Sequence, residues 1–157
     1  LKLKLVCIGR ADGKILWAKE IGPQLPEQPK IRDDHGYASS TLAADKDRIY
    51  AFFGKTGVFA FDHDGKQLWK ADVGSKLHGW GSGNSPVLWK DRVIVNASVE
   101  SDSLVALDAK SGKELWRAGG IKDSWNTPIL ADAGGGKTEV VVAIMGKVLG
   151  IVPATGQ

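Results

Sequence analysis

Apolar positions along this chain come in short bursts, not in the recurring three-and-four spacing of a helix. "IYAFF" (Ile49–Phe53), "RVIVNA" (Arg92–Ala97), "LVALD" (Leu104–Asp108) and "EVVVAIM" (Glu139–Met145) are each bounded by Gly, Asp, Asn or Lys. No helical period survives over eleven residues. Runs this short, rich in Val, Ile, Phe and Tyr and closed off by turn formers, predict β-strands. "IYAFF" and "EVVVAIM" are apolar on both faces, so these strands are expected to be covered from both sides.

The bursts recur in a fixed order. "LVCIGRADGKILW" (Leu5–Trp17), "VFAFDHDGKQLW" (Val58–Trp69) and "LVALDAKSGKELW" (Leu104–Trp116) share an apolar run, a polar turn with glycine, and Leu-Trp. "VLGIVPATGQ" (Val148–Gln157) is a fourth copy that stops after its glycine. Gly13, Gly65, Gly112 and Gly156 lie 52, 47 and 44 residues apart. Between them runs a second phrase, in "SSTLAADKDRIYAFF" from Ser39, "NSPVLWKDRVIVNA" from Asn84 and "NTPILADAGGGKTEVVVAI" from Asn126. Periods of about 40–50 residues signal a repeat architecture. Each period holds about four strands: A ("SPVL"), B ("RVIVNA"), C ("LVALD") and D ("ELWRA"). Four-stranded antiparallel units set face to face around an axis make a β-propeller. The predicted fold is all-β, with the glycine supplying the positive φ of a tight C–D turn. Trp17, Trp69 and Trp116 have the area to cover the seam between neighbouring blades, which we prefer to a ligand-stacking role.

The strand count does not close a ring. Two strands of a first blade (1–20), a second blade (37–72), a third (84–118) and a fourth lacking strand D (126–157) make thirteen strands. Closed propellers have about four to eight blades of four strands. The expectation is an open arc, a partial propeller cut from a longer one, with two apolar blade faces uncovered.

Composition narrows the function. Hydrophobic content is 43%, charged content 25% and net charge +3. The 21 basic residues are dispersed, with no stripe or arm of the kind nucleic acid requires. No apolar run reaches the ~18 residues of a membrane-spanning helix. The single cysteine, Cys7, cannot form an internal disulfide and, among Leu5, Val6 and Ile8, is expected to be buried. "LKLKLVCIG" lacks signal-peptide layout, so any export signal would lie upstream.

Candidate chemistry gathers in the D–A connections. "EIGPQLPEQPKIRDDHGYAS", "GSKLHGWGSGN" and "GGIKDSWN" are long and lead into the innermost strands, whereas the "KDR" and "DGK" turns are minimal. Long loops on a rigid scaffold are where binding residues tend to sit. The candidates are His35, Tyr37, His78, Trp80 and Trp125, with Asp33, Asp34, Asp123 and Asn126 as polar neighbours. The competing reading is that the aromatics plug the channel entrance. Other motifs are decoys. "ADAGGGKT" (Ala131–Thr138) resembles a phosphate loop but runs into a strand, not a helix. "DHDG" (Asp62–Gly65) lacks the remaining ligands of a calcium loop. "NAS" (Asn96–Ser98), a glycosylation acceptor pattern, falls on an apolar strand. His35 and His78 could share one face, but no supporting partner for a metal there can be identified, and no nucleophile–base arrangement can be assembled.

"ALDAKSGKELW" (Ala106–Trp116) in full, and "AFDHDGKQLW" (Ala60–Trp69) with one residue missing in the turn, match a pattern, Ala-x-Asp-x-x-[Ser/Thr]-Gly-x-x-x-Trp, that resembles the repeat of the PQQ-like (pyrroloquinoline-quinone-like) β-propeller superfamily. The resemblance covers essentially the whole chain and implies a propeller of seven or eight blades. Some such proteins are quinoprotein dehydrogenases holding PQQ and Ca²⁺ in the central channel. Others resemble the outer-membrane assembly scaffold and bind no cofactor. The adjacent cysteines typical of the alcohol-oxidising members are absent here. The reading is a non-catalytic, extracytoplasmic or periplasmic binding module that presents its D–A loops to a protein, glycan or small ligand, without a cofactor. The alternative is part of a PQQ- and calcium-dependent dehydrogenase, drawing on Trp80 or Trp125, Asn84 or Asn126, and Asp33 or Asp34. A third reading is a sensor domain joined to a kinase or membrane anchor.

Overall fold

The computed structural model describes residues 2–24 and 39–157. Thirteen strands form four antiparallel sheets in an open arc. The first sheet pairs β1 (Leu3–Ile8) with β2 (Ile15–Ile21). The second runs β3 (Ala43–Ala44), β4 (Ile49–Phe52), β5 (Val58–Phe61), β6 (Gln67–Ala71). The third runs β7 (Val87–Trp89), β8 (Arg92–Ala97), β9 (Ser103–Asp108), β10 (Glu114–Gly119). The fourth holds β11 (Ile129–Gly134), β12 (Lys137–Ile144) and β13 (Lys147–Ile151). One helical turn, α1 (Ser98–Ser101), joins β8 to β9.

Strand alternation explains why the inner strands are apolar throughout. Along β8, Val93 and Val95 face the second sheet, where they meet Tyr50, Phe52 and Val58. Ile94 points the other way and joins Val140, Val142 and Ile151 of the fourth sheet. Along β4 and β5, Ala51, Phe59 and Phe61 turn to the first sheet and pack on Leu3, Leu5 and Ile21. A strand between two sheets has no solvent face to make polar.

Among the described residues the outermost sheets have a neighbouring sheet on one face only. In β12, Val140 and Val142 are buried, but Val141 is only half-buried and Ala143 is exposed. The two-sided cover expected of "EVVVAIM" is therefore corrected to one-sided: only the third sheet packs on it. Ile129, Met145 and Val148 are 60%, 75% and 67% exposed. At the other end Val6, Ile8 and Leu16 are exposed. Cys7, expected to be buried, is half-buried: it follows Leu3 and Leu5 on the packed face of β1 but lies near the strand's end, at the register shift between Cys7 and Ile8.

Two relays run from sheet to sheet, and the repeated phrases encode both. Each tryptophan of an outer strand lies on the turn glycine of the following sheet. A Cβ built on Gly65, Gly112 or Gly156 would come within 2.9, 2.7 and 2.7 Å of the rings of Trp17, Trp69 and Trp116 respectively. The three glycines also have φ of 77°, 73° and 78°, so both backbone and contact demand the missing side chain. Each indole N–H donates into the same turn: Trp17 to the His63 carbonyl at 3.0 Å, Trp69 to Ala109 at 3.0 Å, Trp116 to Pro153 at 2.9 Å. The turn is braced by its aspartate: the Asp108 carboxylate accepts from the Ser111 N–H and hydroxyl at 2.7 and 2.6 Å. Beside the innermost strands, the Thr41 N–H donates to the Ser85 hydroxyl at 2.8 Å, and the Ser85 N–H to the Thr127 hydroxyl at 2.9 Å.

Candidate functional site

In an antiparallel sheet the D–A and B–C connections leave from the same end, and here they converge. The loop from β6 to β7 brings His78 and Trp80. The loop from β10 to β11 brings Asp123 and Trp125. The link from β8 to β9 contributes α1 and Asp102. Three of the candidate residues meet. The His78 and Trp125 rings lie 4.9 Å apart at 62°, Trp80 and Trp125 5.5 Å apart at 44°, and His78 and Trp80 6.4 Å apart at 83°. Trp125 is fixed by its indole N–H, which donates to the Gly81 carbonyl at 2.9 Å. The Trp80 N–H bonds His78 Nδ1 at 3.2 Å, and the Gly81 N–H bonds the His78 carbonyl at 2.8 Å. Trp80 stands 57% exposed above this base.

Beside the rings opens a cleft of about 140 Å³, lined by Lys76, His78, Ser98, Asp102, Asp123 and Trp125 among others. Two of its residues, Asp102 and Asp123, have φ of 53° and 50°, a left-handed conformation that Asp tolerates better than most side chains. Asp102 caps α1, its N–H reaching the Ser98 carbonyl at 3.1 Å. Lys76 Nζ pairs with its carboxylate and lowers the carboxyl pKa.

A buried polar frame holds the loops in place. Asn96 is fully buried. Its amide nitrogen donates to the Ser124 hydroxyl at 2.9 Å and to the Asn126 carbonyl at 3.0 Å, and its oxygen accepts the Ser98 N–H at 3.1 Å. Asn126 in turn brackets Ala143 of the fourth sheet, donating to its carbonyl at 2.6 Å and accepting its N–H at 3.2 Å. Asn96, dismissed as part of a glycosylation pattern, is thus a structural strut, and Asn126 spends its amide on the scaffold. Glu100, within α1, is 2% exposed. Its Oε1 accepts the Ser82 hydroxyl, while Oε2 has no partner. Burial raises its pKa to about 7, against the pull of the Ser82 hydrogen bond. Asn84 is fully buried with neither amide atom paired. Sequence reasoning missed Glu100: one glutamate in a polar loop carries no signal of burial.

His35 and Tyr37, with Asp33 and Asp34, lie outside the described residues. "ADAGGGKT" is the β11–β12 hairpin, with positive φ at Gly134, Gly135 and Gly136 and no helix following. A wider cleft of about 400 Å³ at the opposite end, lined by Trp89, Lys137, Glu139 and Pro153 among others, offers no cluster of rings. Among the described residues no three His, Cys, Asp or Glu side chains come together to hold a metal. Nor do the tilted rings of Trp80 and Trp125 form the parallel faces that would sandwich a flat quinone.

The fold has relatives among solved structures. The chain is similar to the BamB structure from Moraxella catarrhalis (18% identity, TM-score 0.55, covering 75% of this chain and 34% of that one). It is similar to quinohemoprotein alcohol dehydrogenase ADHIIG from Pseudomonas putida HK5 (15%, 0.62, 93% and 29%). A third likeness is to quinohemoprotein alcohol dehydrogenase from Comamonas testosteroni (21%, 0.54, 75% and 20%). The chain thus spans about a third or less of these proteins' lengths. No curated protein matches it. The family model described as outer membrane protein assembly factor BamB matches residues 2–157. With its repeated Trp-on-Gly seams and antiparallel sheets, the chain belongs to that family of PQQ-like β-propellers.

Proposed function

We propose that this chain is part of a longer propeller that works as a non-catalytic binding scaffold, its partner held at the end where the D–A loops converge. The observation that carries the reading is the fixed group of His78, Trp80 and Trp125, which leaves a large ring 57% exposed on a braced base. Aromatic side chains held open in this way supply contact area at little entropic cost. The family's description as an assembly factor supports an extracytoplasmic, protein-organising role. No described helix is long and apolar enough to cross a membrane. Each sheet would be one blade, and further blades would cover the two open faces. Gly13 supports this: its φ is 69°, as in the other turns, yet no side chain lies on it. The tryptophan of a preceding blade would fill that place.

The test uses a photo-crosslinking residue at position 80 of the full-length protein in cells, and another at Lys46 on the opposite end. Adducts from position 80 that are absent from position 46 support the reading. Equal labelling from both positions contradicts it. The dehydrogenase alternative is tested by adding PQQ and calcium: saturable absorbance change with alcohol-dependent dye reduction would overturn the non-catalytic assignment.

A further inference from the structure

The group of rings and the cleft beside it restrict what can bind there, and this step rests on reading that end as a binding surface. Three features decide the class. First, the charges cancel. Lys76 and Lys122 stand against Asp102 and Asp123, and both lysines act on Asp102. No net field favours an anion or a cation. Second, the rings meet at 44°, 62° and 83°. They form an open corner, which suits a puckered saturated ring better than a flat aromatic one. Third, the cleft of about 140 Å³ equals roughly five waters at ~30 Å³ each. That is below the ~300–1,000 Å³ of pockets for drug-sized ligands and leaves room for one ring beside His78 and Trp125, which line the cleft, with Trp80 outside its lining and 5.5 Å from Trp125.

The free polar groups agree. Among the described residues no protein group hydrogen-bonds the Asp123 carboxylate or the Trp80 indole N–H, and both side chains are open to solvent. An ionised carboxylate only accepts, so the ligand must bring donors. Hydroxyls do so. A proline-rich peptide, the other ring-bearing polymer that stacks on exposed aromatics, lacks N–H groups at its prolines. The C–H face of a sugar ring carries slight positive charge and meets the negative face of Trp80.

We propose that Trp80, His78 and Trp125, with Asp123 in the cleft, bind one ring of a neutral saccharide. Trp80 stacks on the C–H face, and Asp123 accepts from a hydroxyl.

The experiment is calorimetric titration of the full-length protein with two neutral probes, chitotetraose and cellotetraose, and with a decaproline peptide as the competing class. The expected result is saturable binding of at least one saccharide. It should weaken about tenfold or more in Trp80→Ala and severalfold in Asp123→Asn, and stay unchanged in Lys46→Ala at the opposite end. Trp80 is mostly exposed, so its variant is expected to fold, which circular dichroism checks. Decaproline binding that depends on Trp80, without saccharide binding, would overturn the ligand class and keep the binding surface. If no probe binds and crosslinking from position 80 is also silent, both readings fall. Saccharide binding that is indifferent to Trp80 overturns the proposed site.

Discussion

Glu100 is the residue whose surroundings make the sharpest prediction. Its carboxyl, carried by α1 itself, is buried with one oxygen unpaired among the described residues, and burial raises its pKa to about 7. The folded state therefore holds the proton more tightly than the unfolded chain, whose ordinary value is 4.5. Its contribution to stability is full below pH 4.5, declines as pH rises from 4.5 to 7, and is lost above that. A difference of two to three pH units corresponds to about 3 kcal/mol. Glu100→Gln should leave stability unchanged at pH 4.5 and raise it at pH 8 by up to that amount, read by urea unfolding at both values. A Gln variant that shifts stability equally at the two pH values would contradict the account. Asn96 is the complementary case, with its amide fully engaged. Asn96→Ala leaves the Ser98 N–H and the Asn126 carbonyl unpaired and should cost about 1–3 kcal/mol. A loss near zero in the same assay would mean that water replaces the strut.

At the scale of elements, the strands and their order were legible, because both signals are local. Short apolar runs and the turn residues that bound them mark the strands, and the Gly-Lys-x-Leu-Trp phrase marks the C–D hairpins. The seam chemistry was half legible. Trp17, Trp69 and Trp116 could be assigned to packing, but nothing in the spacing said that each would lie on the next sheet's glycine. That contact joins residues 40 or more positions apart. The extent of burial was illegible in β12, since "EVVVAIM" reads the same whether one neighbour or two cover it. Of the candidate site, His78, Trp80 and Trp125 were found because exposed aromatics in long loops are conspicuous. The burial of Glu100, Asn84 and Asn96 was not legible, because it is set by segments distant in sequence that pack over them. The hydroxyl relay makes its own prediction. Thr127→Val removes the acceptor of the Ser85 N–H and should cost about 1 kcal/mol. Thr127→Ser should restore it, and equal loss in both variants would contradict the relay.

At the scale of the whole molecule, an arc of sheets has two end faces that no other described residue covers. Ile129, Met145 and Val148 at one end and Val6, Ile8 and Leu16 at the other are exposed apolar residues, and β13 has a free edge. Residues 1–157 expressed alone should self-associate. Val148→Lys with Met145→Glu should shift sedimentation towards monomer, and an unaltered distribution would show that these faces do not drive association. The account as a whole depends on the sheets being held in register by an indole seated on the next turn. A double-mutant cycle on Trp69 and Gly112 measures that coupling. With Trp69 present, Gly112→Ala places a Cβ 2.7 Å from the indole at a φ of 73°, so it meets both a clash and backbone strain. In a Trp69→Ala background only the strain remains, about 1–2 kcal/mol. The account predicts that Gly112→Ala costs clearly less in that background than in the native one. Equal cost in the two backgrounds would contradict it.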